Sequence, residues 1–214
     1  MKKIVSLLAA ALMLGSVSAF AQKVGVEAGF GFSTTTFDYT LGKTSLDMSG
    51  LSVGMNYEMP IGTSGLNFMP GIVFTYFSKN DANVHVPVID YTLQAKLSES
   101  YLSIPLDVNF RLNLGEGIDA LVYAGPTLSM GLTANARETA TSMNYDIYDG
   151  ALKNFTRYGR FDVLVGGGLG LELYDMLRFT VGYDYGLINR NSGSTSSLLE
   201  IHRSQFKVGV AYLF

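Results

Sequence analysis

The chain has no cysteine. That excludes a disulfide framework, a thiolate metal site and a cysteine nucleophile. Histidine is almost as scarce, with only His85 and His202, so a multi-histidine metal centre within one chain is not expected. Charged residues make up only 15% of the sequence. Basic residues hold no excess, with 15 Lys and Arg against 18 Asp and Glu, and no basic stripe runs along the chain to follow a phosphate backbone. Nucleic acid is therefore not an expected partner. A long helical period and an internal duplication are also missing, so one domain suffices.

What is present begins with "MKKIVSLLAAALMLGSVSAFAQ": two lysines, an apolar stretch, then small residues before Gln22. This is the layout of a secretory signal peptide over residues 1–21, and the Ala-Phe-Ala ending favours cleavage over a retained membrane anchor. Lys2 and Lys3 leave with it, so the remaining domain, 22–214, keeps 13 basic residues against 18 acidic ones, a formal charge of −5. Gly at 24, Tyr at 13 and Phe at 13 are high. An exported domain of that composition without disulfides needs a large core or a closed hydrogen-bond network.

Past Gln22 the pattern is period-two alternation, the mark of strands. "YLSIPLDVNFRLNL" sets Leu102, Ile104, Leu106, Val108, Phe110, Leu112 and Leu114 against Ser103, Asp107, Asn109, Arg111 and Asn113. "KVGVEAGFGFS", "GLSVGMNYEM", "LNFMPGIVFTY", "DALVYAGPTLSMGL", "FDVLVGGGLGLEL", "LRFTVGYDYGLI" and "SQFKVGVAYLF" bring the count to eight strands. The connections alternate between short ones ("PIGTSG", "GEG", "YDM") and long ones, near 34–49, 79–99, 133–159 and 189–203. Short turns on one rim and long loops on the other suit an all-β, eight-stranded antiparallel up-and-down transmembrane β-barrel.

Volume decides which face is outside. An eight-stranded barrel encloses just enough room for side chains to fill. The apolar parity carries roughly five bulky residues per strand, too many for that space, so it must face lipid. The other parity is rich in glycine and carries Lys23, Arg111, Arg160, Arg178 and Lys207 against Glu27, Glu58, Asp107, Asp162, Glu172 and Asp184. That near balance predicts an interior ion-pair network of Glu58, Asp107, Arg111, Arg160, Asp162, Glu172, Arg178 and Asp184 that plugs the barrel. Glu58, Arg111, Glu172 and Arg178 are placed toward the short-turn end as one cluster. Pro70, Pro105 and Pro126 interrupt strands that have no free edge, and local bulges are expected there. Tyr57, Phe68, Phe179, Tyr212 and Phe214 are expected in the periplasmic aromatic girdle, and Phe32, Tyr76, Phe161 and Tyr185 in the outer one.

Other chemistry is thinly represented. "VLVGGGLG" lacks the lysine and hydroxyl of a phosphate loop and alternates as a strand. "EIHRS" puts Glu200, His202 and Ser204 on one parity, a pair resembling the His-x-Ser of lipid A deacylases; a solvated strand end is the expectation. No catalytic residue, cofactor or metal is expected. Residues 133–159, with Tyr145, Tyr148, Phe155 and Tyr158, form the longest predicted loop and the expected contact surface for an extracellular protein or glycan. A small-solute porin and a lipid A-type hydrolase are the alternative functions.

From Tyr101 onward, "YLSIPLDVNFRL", "YAGPTLSMGL", "FDVLVGGGLGLEL" and "FTVGYDYGLINR" resemble, in order, four strands of the PorT-type family of outer-membrane β-barrel proteins. The resemblance implies an integral protein of the bacterial outer membrane. It further implies insertion by the barrel-assembly machinery through a C-terminal strand like "FKVGVAYLF", with Tyr212 and Phe214 as the assembly signal. The family's namesake supports protein secretion across that membrane.

Overall fold

The structure is a computed structural model and describes residues 23–39, 42–62, 65–86, 91–138, 144–148, 158–193 and 198–214. The expected signal peptide, 1–21, and Phe155 of the expected contact loop lie outside these residues. Nine strands form: β1 (Lys23–Tyr39), β2 (Gly42–Pro60), β3 (Leu66–Val86), β4 (Tyr91–Gly115), β5 (Ile118–Glu138), β6 (Asn144–Asp146), β7 (Phe161–Leu173), β8 (Leu177–Gly186) and β9 (Leu199–Leu213). Eight of them close a ring, because β4 pairs with β5 and β9 pairs back onto β1, all antiparallel. The ninth, β6, is a three-residue strip on the outer end of β5.

Closure ties down the last strand on both sides. The amide of Phe214 donates to Val24 O at 2.8 Å and that of Leu213 to Met176 O at 2.7 Å, so the last residues are bonded to both neighbours. A sheet in hydrocarbon needs every backbone group paired, and only a ring gives a sheet that.

The outward face is the apolar one. Val108, Phe110, Leu169, Val181, Val208 and Val210 are each 39–58% exposed, while Asp107, Asn109 and Glu172 on the other parity are 8% or less. Phe32, Tyr76, Phe161 and Tyr185 face outward near the long-loop end, and Phe179, Tyr212 and Phe214 near the short-turn end. The rings of Tyr212 and Phe214 meet edge to face at 4.9 Å.

Two expectations need correction. Two of the four predicted long loops are largely strand: β1 and β2 pair up to Tyr39↔Gly42, and β3 and β4 up to Val86↔Tyr91. The wall thus continues above the apolar band. There the interior turns hydrophobic, with Met48, Phe77, Ala95, Leu97 and Tyr101 in one cluster and Ala134, Tyr148, Tyr158 and Ile201 in another. The expected proline bulges are also not found. Register is the same on both sides of Pro70 and of Pro105, and Pro126 pairs with Val165 in an unbroken ladder. What changes is pairing, since Gly71 and Ile72 skip their partners opposite Pro105 and Ile104. A proline removes a donor without adding a residue, whereas a bulge requires an extra one. Register shifts fall instead at Lys79/Ala82, Ser100/Tyr101 and Asn113/Gly115.

Candidate functional site: a layered barrel interior

Inward-facing polar side chains sort into three layers. The inner layer sits at the short-turn end, where β1, β8 and the turn-proximal ends of β2, β4 and β7 bring five charges together. The Arg178 guanidinium donates to Glu172 Oε2 from Nε at 3.0 Å and from Nη2 at 2.7 Å, and also to Glu58 Oε2. Arg111 donates to Glu58 Oε1 at 2.7 Å and Glu172 Oε1 at 2.9 Å. Lys23 Nζ bridges Glu172 Oε1 at 2.6 Å and Asp175 at 2.5 Å, and its hydrogen bond holds the turn carboxyl of Asp175 below the usual range. Arg178, Glu172 and Glu58 are 1–3% exposed, so each buried charge has at least two opposite partners. Asp119, Glu172 and Asp175 also converge closely enough to hold a metal ion, but Lys23 and Arg111 already occupy that field.

The outer layer lies just below the extended rim. Arg190 donates from Nη1 to the hydroxyls of Tyr158 at 2.8 Å and Tyr101 at 3.0 Å, and from Nη2 to Gly159 O at 3.0 Å. The hydroxyls of Tyr158 (3.2 Å) and Tyr101 donate in turn to Glu99. Arg203 lies 3.9 Å over the Tyr101 ring, donates to Ser129 Oγ at 3.0 Å and has Asp162 Oδ2 at 3.5 Å. Arg190 similarly lies 4.1 Å over Tyr158. These contacts combine charge-assisted hydrogen bonds with cation–π attraction in a site nearly free of solvent.

Between them lies a middle layer of Glu27, Asn56, Asp107, Tyr123, Asp184, Gln205 and Lys207. Asp184 accepts from Lys207 Nζ at 2.6 Å and from Gln205 Nε2 at 2.7 Å, and Glu27 accepts from Asn56 Nδ2 at 2.9 Å. The glycines of β7 and β8 exist to make room here. A Cβ on Gly168 would stand 2.5 Å from the Tyr123 hydroxyl, one on Gly182 would overlap it, and one on Gly166 would overlap the Asp184 carboxylate. A cavity of about 100 Å³ remains beside these side chains.

The residues expected inside therefore separate by depth. Glu58, Arg111, Glu172 and Arg178 meet in the inner layer, Asp107 and Asp184 lie in the middle, and Asp162 lies in the outer layer. Arg160 is corrected out of the interior. It is exposed at the outer rim, donates to Leu132 O at 3.0 Å and lies 4.2 Å over the Tyr148 ring, because β7 begins only at Phe161. Tyr148 and Tyr158 are corrected out of the contact surface: both are buried, 6% and 8% exposed, since their hydroxyls are drawn to Arg190. Tyr145 is 48% exposed. The sequence reading missed Glu99, Tyr101, Arg190 and Arg203. Carrying the inward parity of Ser103 upstream would have found Tyr101 and Glu99, and carrying that of Gln205 upstream would have found Arg203. Arg190 lies outside any strand and had no periodic signal.

His202 and Ser204 face outward at the end of β9, but the imidazole is engaged elsewhere. Nδ1 is 3.2 Å from Gly186 O and Nε2 is 3.6 Å from Glu200, and the ring stacks on Tyr185 at 6.2 Å. A serine nucleophile needs a ring nitrogen to take its proton, and neither nitrogen is bonded to Ser204.

Solved structures similar to this one are outer-membrane barrels. OprG from Pseudomonas aeruginosa matches with TM-score 0.50 at 11% identity, over 91% of this chain and 96% of that one. Ail of Yersinia pestis, solved with the heparin analogue sucrose octasulfate, matches with TM-score 0.47 at 11% identity, over 91% and 100%. The outer membrane enzyme PagL matches with TM-score 0.48 at 11% identity, over 85% and 97%. At these identities the likeness concerns the fold alone. No curated protein matches the sequence. The family model for the outer membrane protein beta-barrel domain matches residues 20–190, most of the chain. With the closed ring, the apolar outer face and that match, the chain belongs to the outer membrane protein beta-barrel domain family and is a protein of the bacterial outer membrane.

Proposed function

We propose that the protein is a non-enzymatic outer-membrane barrel of the PorT type, sealed to solutes, whose extracellular rim makes contact with a protein or glycan. The observation that carries this reading is the double seal, with an ion-paired layer at the inner end and an Arg–Tyr–Glu layer at the outer one. Conducting pores use wider barrels or a constriction charged with one sign. Here each of the two layers sets charges of both signs against one another.

Export follows from the signal peptide at 1–21, and insertion by the barrel-assembly machinery is read from the C-terminal strand with Tyr212 and Phe214 facing lipid. The PorT assignment rests on the four strand motifs from Tyr101 onward. Tyr39 and Tyr145, 42% and 48% exposed, and Leu198, 62% exposed, place apolar and aromatic surface on the rim where a partner would dock. The engaged imidazole of His202 supports a non-catalytic reading of that strand end.

Planar-bilayer recording of the purified protein tests the seal. The expected trace is flat at the lipid baseline. A steady, ion-selective current that changes when Arg111 or Asp107 is neutralised would instead identify a small-solute porin.

A further inference from the structure

The three layers differ in charge. Among the described residues, the outer layer sets Arg190 and Arg203 against Glu99 and Asp162, and the inner one sets Lys23, Arg111 and Arg178 against Glu58, Asp119 and Glu172, with Asp175 at the turn. The outer layer is matched two against two, and the inner one sets three cations against four carboxylates with the exposed Asp175 counted. The middle layer holds three carboxylates, Glu27, Asp107 and Asp184, and one cation, Lys207, whose ammonium is committed to Asp184 at 2.6 Å.

Two acidic or hydroxyl side chains facing the cavity have no hydrogen-bond partner among the described residues. Asp107 is only 8% exposed, sits within the fields of Lys207, Asp184 and Glu27, and makes no hydrogen bond. Tyr123, also 8% exposed, lines the same cavity with an unbonded hydroxyl. Burying an ionised carboxylate without a counter-charge costs several kcal/mol, and an orphaned buried hydroxyl costs ~1–3 kcal/mol. A cation in the space they line would give both oxygens an electrostatic partner.

We infer that the central cavity binds a small monovalent cation, an alkali-metal ion with residual water or a short primary ammonium, held by the carboxylates of Asp107 and Glu27 and the hydroxyl of Tyr123. An anion would meet the carboxylates of Glu27 and Asp107 and a lysine already paired with Asp184. The size suits a compact guest, since a cavity of about 100 Å³ has room for a small ion with a few waters. A directly ligated divalent ion is less suited: the carboxylates that converge to ligand spacing among the described residues are Asp119, Glu172 and Asp175 of the inner layer, not these. Gly125 makes room for the carboxylate itself, because a Cβ there would stand 2.7 Å from Asp107 Oδ1.

The experiment follows the unfolding midpoint of the full-length protein in detergent micelles at fixed ionic strength. The chlorides of sodium, potassium, rubidium and methylammonium are compared with that of N-methylglucamine, which is too large to enter. The expected result is a saturable rise in midpoint with a small cation and none with N-methylglucamine. A rise with the metal ions alone identifies a metal guest, and a rise with methylammonium alone identifies an ammonium. Asp107→Asn should weaken the response about tenfold or more, and Tyr123→Phe about three- to tenfold. Crystals of the unmutated protein, refolded and grown in rubidium chloride so that the ion is enclosed as the barrel closes, give a second readout that no folding defect can obscure, an anomalous peak between Asp107 and Glu27. Equal midpoints in all five salts, a full response in Asp107→Asn, or no anomalous peak although rubidium raises the midpoint would overturn the assignment. Failure of the seal would show separately, as current across a bilayer.

Discussion

Replacing Arg178 with alanine is expected to cost the barrel ~3–5 kcal/mol of unfolding free energy, read as a drop in the urea midpoint of the protein in micelles. Arg178 is 2% exposed and is a shared partner of Glu58 and Glu172, which are 3% and 1% exposed. Removing it leaves two buried carboxylates with only Arg111 and Lys23 between them, four carboxylates of the layer then facing two cations. The effect comes from the orphaned charge rather than from the net worth of the pair, since desolvation offsets most of the Coulomb attraction in an intact buried ion pair. The double variant Arg178→Met with Glu58→Gln removes one charge of each sign, and it should therefore lose much less than Arg178→Ala alone. As a contrast, Lys43 pairs with Asp38 at 2.6 Å on the exposed outer rim, and Lys43→Ala should leave the midpoint unchanged. If Arg178→Ala and Lys43→Ala behaved alike, the inner layer would not be a buried network.

An arginine on the lipid face should be comparably damaging, and by a different mechanism. Val181 lies at the middle of β8, outward and 40% exposed, between Leu169 of β7 and Val208 of β9. Val181→Arg is expected to destabilise the inserted barrel by ~2–4 kcal/mol, because the guanidinium must snorkel or draw water into hydrocarbon. The same change at Tyr185, one girdle higher on the same strand, should cost only ~0–1 kcal/mol. Folding titrations in lipid vesicles would show this gradient with depth. A soluble barrel would show none, since arginine at either site would simply face water.

Much of this architecture is legible in the sequence because a strand's period of two writes the lipid face directly into the residue order. Val208, Val210 and Tyr212 share a parity, and one strand with that signature predicts where its neighbours point. The inner layer was equally readable: Glu58, Arg111, Glu172 and Arg178 fall on the inward parity near short turns, so register alone brings them together. The outer half was not, because inward positions there change from polar to apolar. Leu97, Phe77, Met48 and Ile201 fill the interior above the membrane, and alternation that is apolar inside and polar outside looks like the end of a lipid-facing strand. The outer layer was harder still, since Tyr158 and Arg190 reach it from positions outside the named strands and Tyr148 from just beyond β6. No periodicity marks such residues; only the closed ring brings them within hydrogen-bond reach.

Because the chain contains no cysteine, single cysteines can be introduced one at a time and labelled without background. Nitroxide labels at each position from Phe206 to Tyr212, in the protein folded into lipid vesicles, report collision with oxygen, which concentrates in hydrocarbon, and with a water-soluble nickel complex. A lipid-coated barrel with a packed interior predicts oxygen maxima at 206, 208, 210 and 212, and minima for both reagents at 207, 209 and 211. Oxygen maxima at the odd positions, or no alternation at all, would contradict it.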